Sequence, residues 1–272
     1  MISLKTSGKA TEKTKIYIKG GNSMGKYNLG LVSISFRSAS VEELIKAVKD
    51  AGLACIEWGS DVHAPCNDTE KLQKIAKLQK ENNIFCSSYG TYFRLGNNAP
   101  DEFIDYIKAS DILETDILRI WCGVKDSNLY TVEEKNKLIY DAKYIADLAA
   151  KSGKTICLEC HNNTLTDTIE SALEIINAVN SESFKMYWQP NQLHDFEWNI
   201  NYARSIAPYA KHIHVFNWSA TTRFPLNDAV EIWKEYLNCF NGERVLLLEF
   251  MPDDKLSSLQ QEADALKLIT EV

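Results

Sequence analysis

Positive charge is in short supply. Thirty Lys and Arg stand against 37 Asp and Glu, for a formal net charge of −7 and a pI near 5.4. An acidic surface repels phosphate backbones, so nucleic acid is not an expected partner. Paired cysteines are scarce too: the seven Cys are odd in number and scattered, with a single C-x-x-C spacing, Cys157 to Cys160, at the end of a strand-like run. That excludes a disulfide framework, fits a reducing environment, and makes a cytoplasmic location the expectation. No apolar run approaches the ~18 residues of a membrane-spanning helix, and the N-terminus lacks the apolar core of a secretion signal. No glycine-rich phosphate fingerprint follows the first strand-like run, where a dinucleotide-binding open sheet would carry one.

What remains is globular. The chain of 272 residues is 45% hydrophobic and 25% charged, and this length permits one α/β barrel as well as two ordinary domains. Residues 1–27 are rich in Lys, Ser, Thr and Gly and read as an extension, weakly ordered or packed outside the main body. Residues 28–272 read as a single domain. Within it, strands are expected at 31–36, 54–58, 84–89, 117–121, 155–159, 184–188, 212–216 and 245–250. Helices are expected from Val41 to a stop at Gly52, then near 69–82, 101–113, 131–151, 167–179, 197–206, 227–239 and 256–270. Ser40 with Glu43 has the spacing of a capping box. Strictly alternating strands and helices imply parallel strands with right-handed crossovers. Eight such units predict an α/β fold closed into a (β/α)8 TIM barrel; a doubly wound open sheet is the alternative.

Chemistry concentrates at four strand ends. Glu159, Gln189, His214 and Glu249 close strands five to eight, and a barrel brings such tips to one mouth. Two carboxylates, an imidazole and an amide oxygen form a mixed O/N donor set that suits Mn²⁺, Mg²⁺ or Co²⁺ better than a thiolate-loving metal. For each Glu taken alone, a buried ion pair with Arg119 or Lys185 is the competing explanation.

Five segments carry a more specific likeness: Ile56–His63, Ser88–Tyr92, Leu118–Gly123, Leu158–Asp167 and His212–Trp218. In this order, on these strands, they resemble the sugar phosphate isomerase/epimerase group of the xylose isomerase-like barrels, over residues 29 to about 270. The resemblance implies a metal set of Glu159, Gln189, His214 and Glu249. Gln189 stands where the family usually has Asp, so the divalent metal is expected to be weakened or lost. Gln192 stands where many relatives have a substrate-binding His. Arg223, after the seventh strand, matches an Arg that holds a hydroxyl or phosphate in related enzymes.

Further substrate contacts are expected from His63, Glu57, Trp58, Arg119, His161 and Trp218. His63 could instead be a loop histidine held by Asp61, and Glu57 could pair with Arg119. Trp58, Trp121, Trp188 and Trp218 all fall at or just past strand ends, and indole walls suit a carbohydrate.

The family's chemistry implies an isomerase or epimerase. A metal steadies an enediolate while Glu159 and Glu249 move the proton. A dehydratase or lyase begins with the same proton abstraction. A carbohydrate-binding barrel without turnover is the reading from a different class. An apurinic-site endonuclease needs a denser His/Asp/Glu ligand set than five His in total suggest. The expected partner is a small sugar or polyol, with neither nucleic acid nor membrane; a homodimer through outer helices is open.

Overall fold

The computed structural model describes residues 27–271. The expected extension lies outside the described residues, except for Tyr27, which opens the first strand.

Eight parallel strands close into a barrel: β1 (Tyr27–Val32), β2 (Cys55–Gly59), β3 (Phe85–Leu95), β4 (Ile117–Cys122), β5 (Thr155–Glu159), β6 (Phe184–Trp188), β7 (Ala210–Val215) and β10 (Arg244–Leu248). Closure is made by β1 pairing with both β2 and β10, as in Leu31↔Ile56 and Leu31↔Leu248. A two-stranded ribbon, β8 (Trp218–Ser219) with β9 (Thr222–Arg223), follows β7. The outer layer is α1 (Val41–Asp50), α2 (Thr69–Asn82), α3 (Phe103–Ile112), α4 (Val132–Lys151), α5 (Ile169–Val179), α6 (Phe196–Ile206), α7 (Val230–Leu237) and α8 (Leu259–Thr270). Among the described residues no helix is long and apolar enough to cross a membrane.

Local chemistry sets the boundaries. The Ser40 hydroxyl accepts from the Glu43 N–H, and the Glu43 carboxylate accepts from the Ser40 N–H at 2.7 Å, so two otherwise unpaired donors of α1 are satisfied together. Gly52 follows this helix with φ +69°.

The first strand departs from expectation. It covers Tyr27–Val32, and Ser33–Phe36 turns away as a 3-10 helix. The two buried serines of that turn explain the shift: Ser33 Oγ accepts from the Gly59 N–H and Ser35 Oγ from the Phe250 N–H. The turn thereby joins the end of β2 to the residue two beyond the end of β10.

Period-two alternation sorts the barrel into an outside and an inside. Ile56, Trp58, Leu118, Ile120, Ile156, Leu158, Met186, Trp188, Ile213, Val215, Leu246 and Leu248 face the helices and form the main hydrophobic core. Cys55, Cys157, Tyr187, Val245 and Leu247 form a smaller interior cluster. Above it, towards the C-terminal ends of the strands, the interior turns polar with Glu57, Arg119, Glu159, His212 and His214, all buried.

Candidate metal and substrate site

His214, in β7, is the hub. Its Nδ1 lies 3.0 Å from Gln189 Oε1, 3.4 Å from Glu249 Oε2 and 3.8 Å from Glu159 Oε1. Glu159 ends β5, whereas Gln189 and Glu249 sit one residue beyond β6 and β10. The orientation of each is fixed by its neighbours. The Arg119 guanidinium binds the Glu159 Oε2, leaving Oε1 to face the imidazole. Gln189 Nε2 donates to the Cys160 carbonyl at 3.0 Å, which directs the amide oxygen inward. Tyr187 presents its ring edge-on to His214, 5.2 Å between centroids at 88°.

Beneath this layer, Arg119 Nε donates to Glu57 Oε1 at 2.8 Å. Glu57 Oε2 accepts from Ser88 Oγ at 2.8 Å and lies 3.5 Å from His214 Nε2. Burial disfavours every charge here, and the charges outweigh it for one another. Arg119 and His214 hold Glu57 well below the usual carboxylate range despite its burial. Burial works against ionised Glu159, but the Arg119 charge still lowers it. Burial likewise opposes a charged His214, yet Glu249 and Glu57 raise it to about 10.

A divalent cation fits this donor set. Glu159, His214 and Glu249 each offer a ligand atom within 4.8 Å of the others, and Gln189 Oε1 adds a fourth. Donors on an ion at ~2.1 Å are separated by ~3.0 to 3.4 Å in octahedral or tetrahedral geometry, close to the distances found around His214 Nδ1. With Glu57 and Arg119 cancelling, and an ion taking the place of the His214 proton at Nδ1, two carboxylate charges would remain to match one dication.

A cavity of about 260 Å³ opens over the cluster. Its floor includes Arg119, Glu159, Gln189 and Glu249; its walls include Tyr92, Trp121, His161, Asn162, Asn191, Gln192, Trp198, Trp218 and Phe250. Asn162 and Asn191 pair through both side-chain amides, at 2.6 and 3.3 Å, and tie the loop after β5 to the loop after β6. Asn199 clamps Asn191 from both sides, accepting from its N–H and donating to its carbonyl. Phe250 holds a left-handed φ of +54° and packs on Trp218. Among the described residues, the indole N–H groups of Trp121 and Trp218 and the Asp167 Oδ1 in this wall have no hydrogen-bond partner.

The sequence-derived candidates divide into those brought to the cavity and those held away. Arg119, His161, Gln192 and Trp218 line it with Glu159, Gln189 and Glu249, while His214 is fully buried and outside the lining. Glu57 is fully enclosed and pairs with Arg119, and Trp58 points outward, donating from its indole to Gln79. Both follow from parity: residue 57 faces in, so residue 58 faces out. Trp188 obeys the same rule beside Tyr187 and packs on Trp233, Tyr236 and Phe240. Of the four strand-end tryptophans, Trp121 and Trp218 reach the cavity. Trp121 already carries two guanidiniums, Arg94 and Arg119, 4.7 and 4.8 Å from its ring centre. His63 is only 3% exposed, and its ring nitrogens contact Ser33 Oγ and the Ala39 carbonyl. Its neighbour Asp61 pairs with Arg37 instead. Arg223 sits behind the wall, over Trp218 and Phe250, and is paired with Asp254.

Tyr92, Trp198 and Asn191 were not anticipated. Tyr92 follows the break in β3–β4 register after Gly90, and Trp198 occupies the first turn of α6, where the Asp195 cap accepts its N–H. Asp195 ahead of α6 was the available signal for Trp198: a capped helix start just after β6 places its first turn over the barrel mouth.

A closed parallel barrel with a carboxylate–imidazole cluster at its C-terminal mouth places its polar groups where TIM-barrel enzymes carry their active sites. Residues 45–237 match the xylose isomerase-like TIM barrel family, and the chain belongs to it. A curated relative, the 3-dehydroshikimate dehydratase of Bacillus anthracis, is 24% identical over 207 residues, 72% of each chain. Three solved structures share the fold. The probable 3-DHS dehydratase AsbF from Bacillus anthracis superposes with a TM-score of 0.73 at 19% identity, over 88% of this chain and 98% of that one. D-Psicose 3-epimerase from Clostridium cellulolyticum H10 gives 0.65 at 15%, over 89% and 98%. A xylose isomerase-like barrel from Mycobacterium smegmatis in complex with magnesium gives 0.68 at 13%, over 89% and 96%.

Proposed function

We propose that the chain is an enzyme that moves a proton next to a carbonyl in a neutral sugar or polyol-derived ketone, as an epimerase or isomerase. The observation carrying this is the placement of Glu159 and Glu249 at the floor of a small cavity, at the ends of strands that lie to either side of β7, which carries His214. Their strands, β5 and β10, are separated by β6 and β7, so the carboxylates approach a bound substrate from two directions. One removes and keeps the proton from carbon and the other, protonated beforehand, delivers its own, to the opposite face in epimerisation or to the neighbouring carbon in isomerisation. Glu159, Gln189, His214 and Glu249 would hold a divalent ion, which would supply charge stabilisation for developing negative charge on the substrate oxygen atoms.

The cavity's charge state supports a neutral substrate. Arg119 is shared by Glu57 and Glu159, and Arg37 is held by Asp61 and Tyr92, so neither guanidinium is left over for a phosphate or carboxylate. The volume is below the ~300–1,000 Å³ of drug-sized pockets and suits a monosaccharide. His161 and Gln192 in the wall are polar side chains suited to hydroxyl groups.

The relatives named as dehydratases motivate a second reading, in which the same abstraction leads to loss of water. One experiment separates the two. The protein with Mn²⁺ is incubated in D₂O with neutral ketoses and, separately, with 3-dehydroshikimate, and followed by NMR. Deuterium entering beside the carbonyl of a ketose, with an epimer or isomer appearing, and both lost in Glu159→Gln and Glu249→Gln, is the expected result. Conversion of the acid with no exchange into any ketose overturns the epimerase reading in favour of the dehydratase.

A further inference from the structure

We propose that Glu57 is a positioning residue for the metal site: it holds His214 so that Nδ1, and not Nε2, faces the cation. The inference rests on the donor set proposed above and adds to it a residue that touches neither metal nor substrate.

The carboxylate is wholly buried and absent from the cavity wall, so it has no route to a substrate. Its contacts point elsewhere. One oxygen takes the Arg119 Nε–H, and the other takes the Ser88 hydroxyl while facing His214 Nε2 at 3.5 Å. That Nε2 is buried and has no hydrogen-bond partner among the described residues. Glu159, Gln189 and Glu249 all gather on the Nδ1 side of the ring. If Nδ1 donates its lone pair, the ring proton must sit on Nε2, and Glu57 is the carboxylate beside it. An acceptor on the far nitrogen fixes the tautomer and the ring plane of a ligating histidine. Arg119 completes the arrangement by joining Glu57 to Glu159, so one guanidinium ties the orienting carboxylate to a coordinating one. Gly90 makes room for the pair: a Cβ there would lie 2.7 Å from Glu57 Oε1.

The test is Mn²⁺ affinity by titration calorimetry and the visible spectrum of the Co²⁺-loaded protein, in wild type, Glu57→Gln, Ser88→Ala, Glu159→Gln and Glu249→Gln. Glu57→Gln is expected to weaken Mn²⁺ binding about 10- to 100-fold and to alter the Co²⁺ bands, with Ser88→Ala moving both less. Loss of metal from Glu159→Gln and Glu249→Gln alongside wild-type affinity and spectrum in Glu57→Gln would overturn the positioning role alone. Wild-type Mn²⁺ affinity in Glu159→Gln and Glu249→Gln would overturn the donor set beneath it. Should Glu57→Gln not fold, ¹⁵N NMR of wild-type protein loaded with Zn²⁺ decides: a His214 proton on Nε2 supports the role, and a proton on Nδ1 overturns it.

Discussion

Gly90→Ala adds one methyl group to the tightest part of the barrel interior. The new Cβ would meet Glu57 Oε1 at 2.7 Å and Arg119 Nη2 at 2.9 Å, well inside the ~3.5–4.0 Å of ordinary carbon contacts. The backbone of Gly90 is not left-handed, so the cost comes from collision. Neither neighbour can swing aside. Arg119 is held by Glu57 and Glu159, and Glu57 is held by Ser88. Overpacking costs about 1–3 kcal/mol, and separating the pair to leave a buried charge without its partner raises this to about 3–5 kcal/mol. At about 3 kcal/mol the thermal midpoint should fall by roughly 6–12 °C for a chain of this size.

Gly153→Ala is the matched control. It has φ +68° and nothing within 4 Å of its Cβ, so only left-handed strain of about 1 kcal/mol applies. Urea denaturation and thermal melts of metal-free protein give both values. Gly90→Ala melting at or above Gly153→Ala would refute the account of the Glu57–Arg119 pair as a rigid unit.

Gln189→Glu keeps the shape of the side chain and adds a charge next to His214 and Glu249; it should raise Mn²⁺ affinity about tenfold or more, a gain of ~1.4 kcal/mol, and unchanged or weaker binding in calorimetry would remove Gln189 from the donor set. His63 provides a pH test. Burial lowers its pKa from the ordinary 6.5, so both folded and unfolded chains carry it neutral above pH 6.5. As pH falls below 6.5 the unfolded chain gains the proton first, and stability is lost at up to about 1.4 kcal/mol per pH unit until the folded pKa is reached. Unfolding free energies at pH 7.5 and 5.0 should therefore drop further in wild type than in His63→Gln, and equal drops would show that His63 is protonated alike in both states.

The alternating plan of the chain was readable because each strand is short, apolar and followed by a helix with its own start signal, as with Ser40 and Glu43. The four strand-tip residues were readable because polar groups ending buried strands have few other uses. Trp58 and Trp188 were assigned to the mouth by their closeness to strand ends, although the alternation that turns Glu57 and Tyr187 inward turns them outward. His63 lies in a loop and Arg223 in the two-residue strand β9, too short for periodicity to constrain direction, and tertiary contacts with Ala39 and Asp254 take them away from the cavity. The start of β1 was displaced because Leu31–Phe36 has strand-like composition, and the partners that bend Ser33–Phe36 away are more than twenty residues distant in sequence.

The inward–outward alternation also governs how the gene can change length. Deleting one residue within β6 would swing Trp188 into the barrel, push Tyr187 out into the helical layer and displace Gln189 from the mouth, undoing core and site together. The segments 160–168, 189–195 and 216–225 lie outside this frame. They supply most of the cavity wall, and can gain or lose residues while Glu159, His214 and Glu249 stay where they are. Insertions and deletions are therefore confined by the same geometry that separates the floor from the walls, and the walls are where such a barrel can acquire a new substrate.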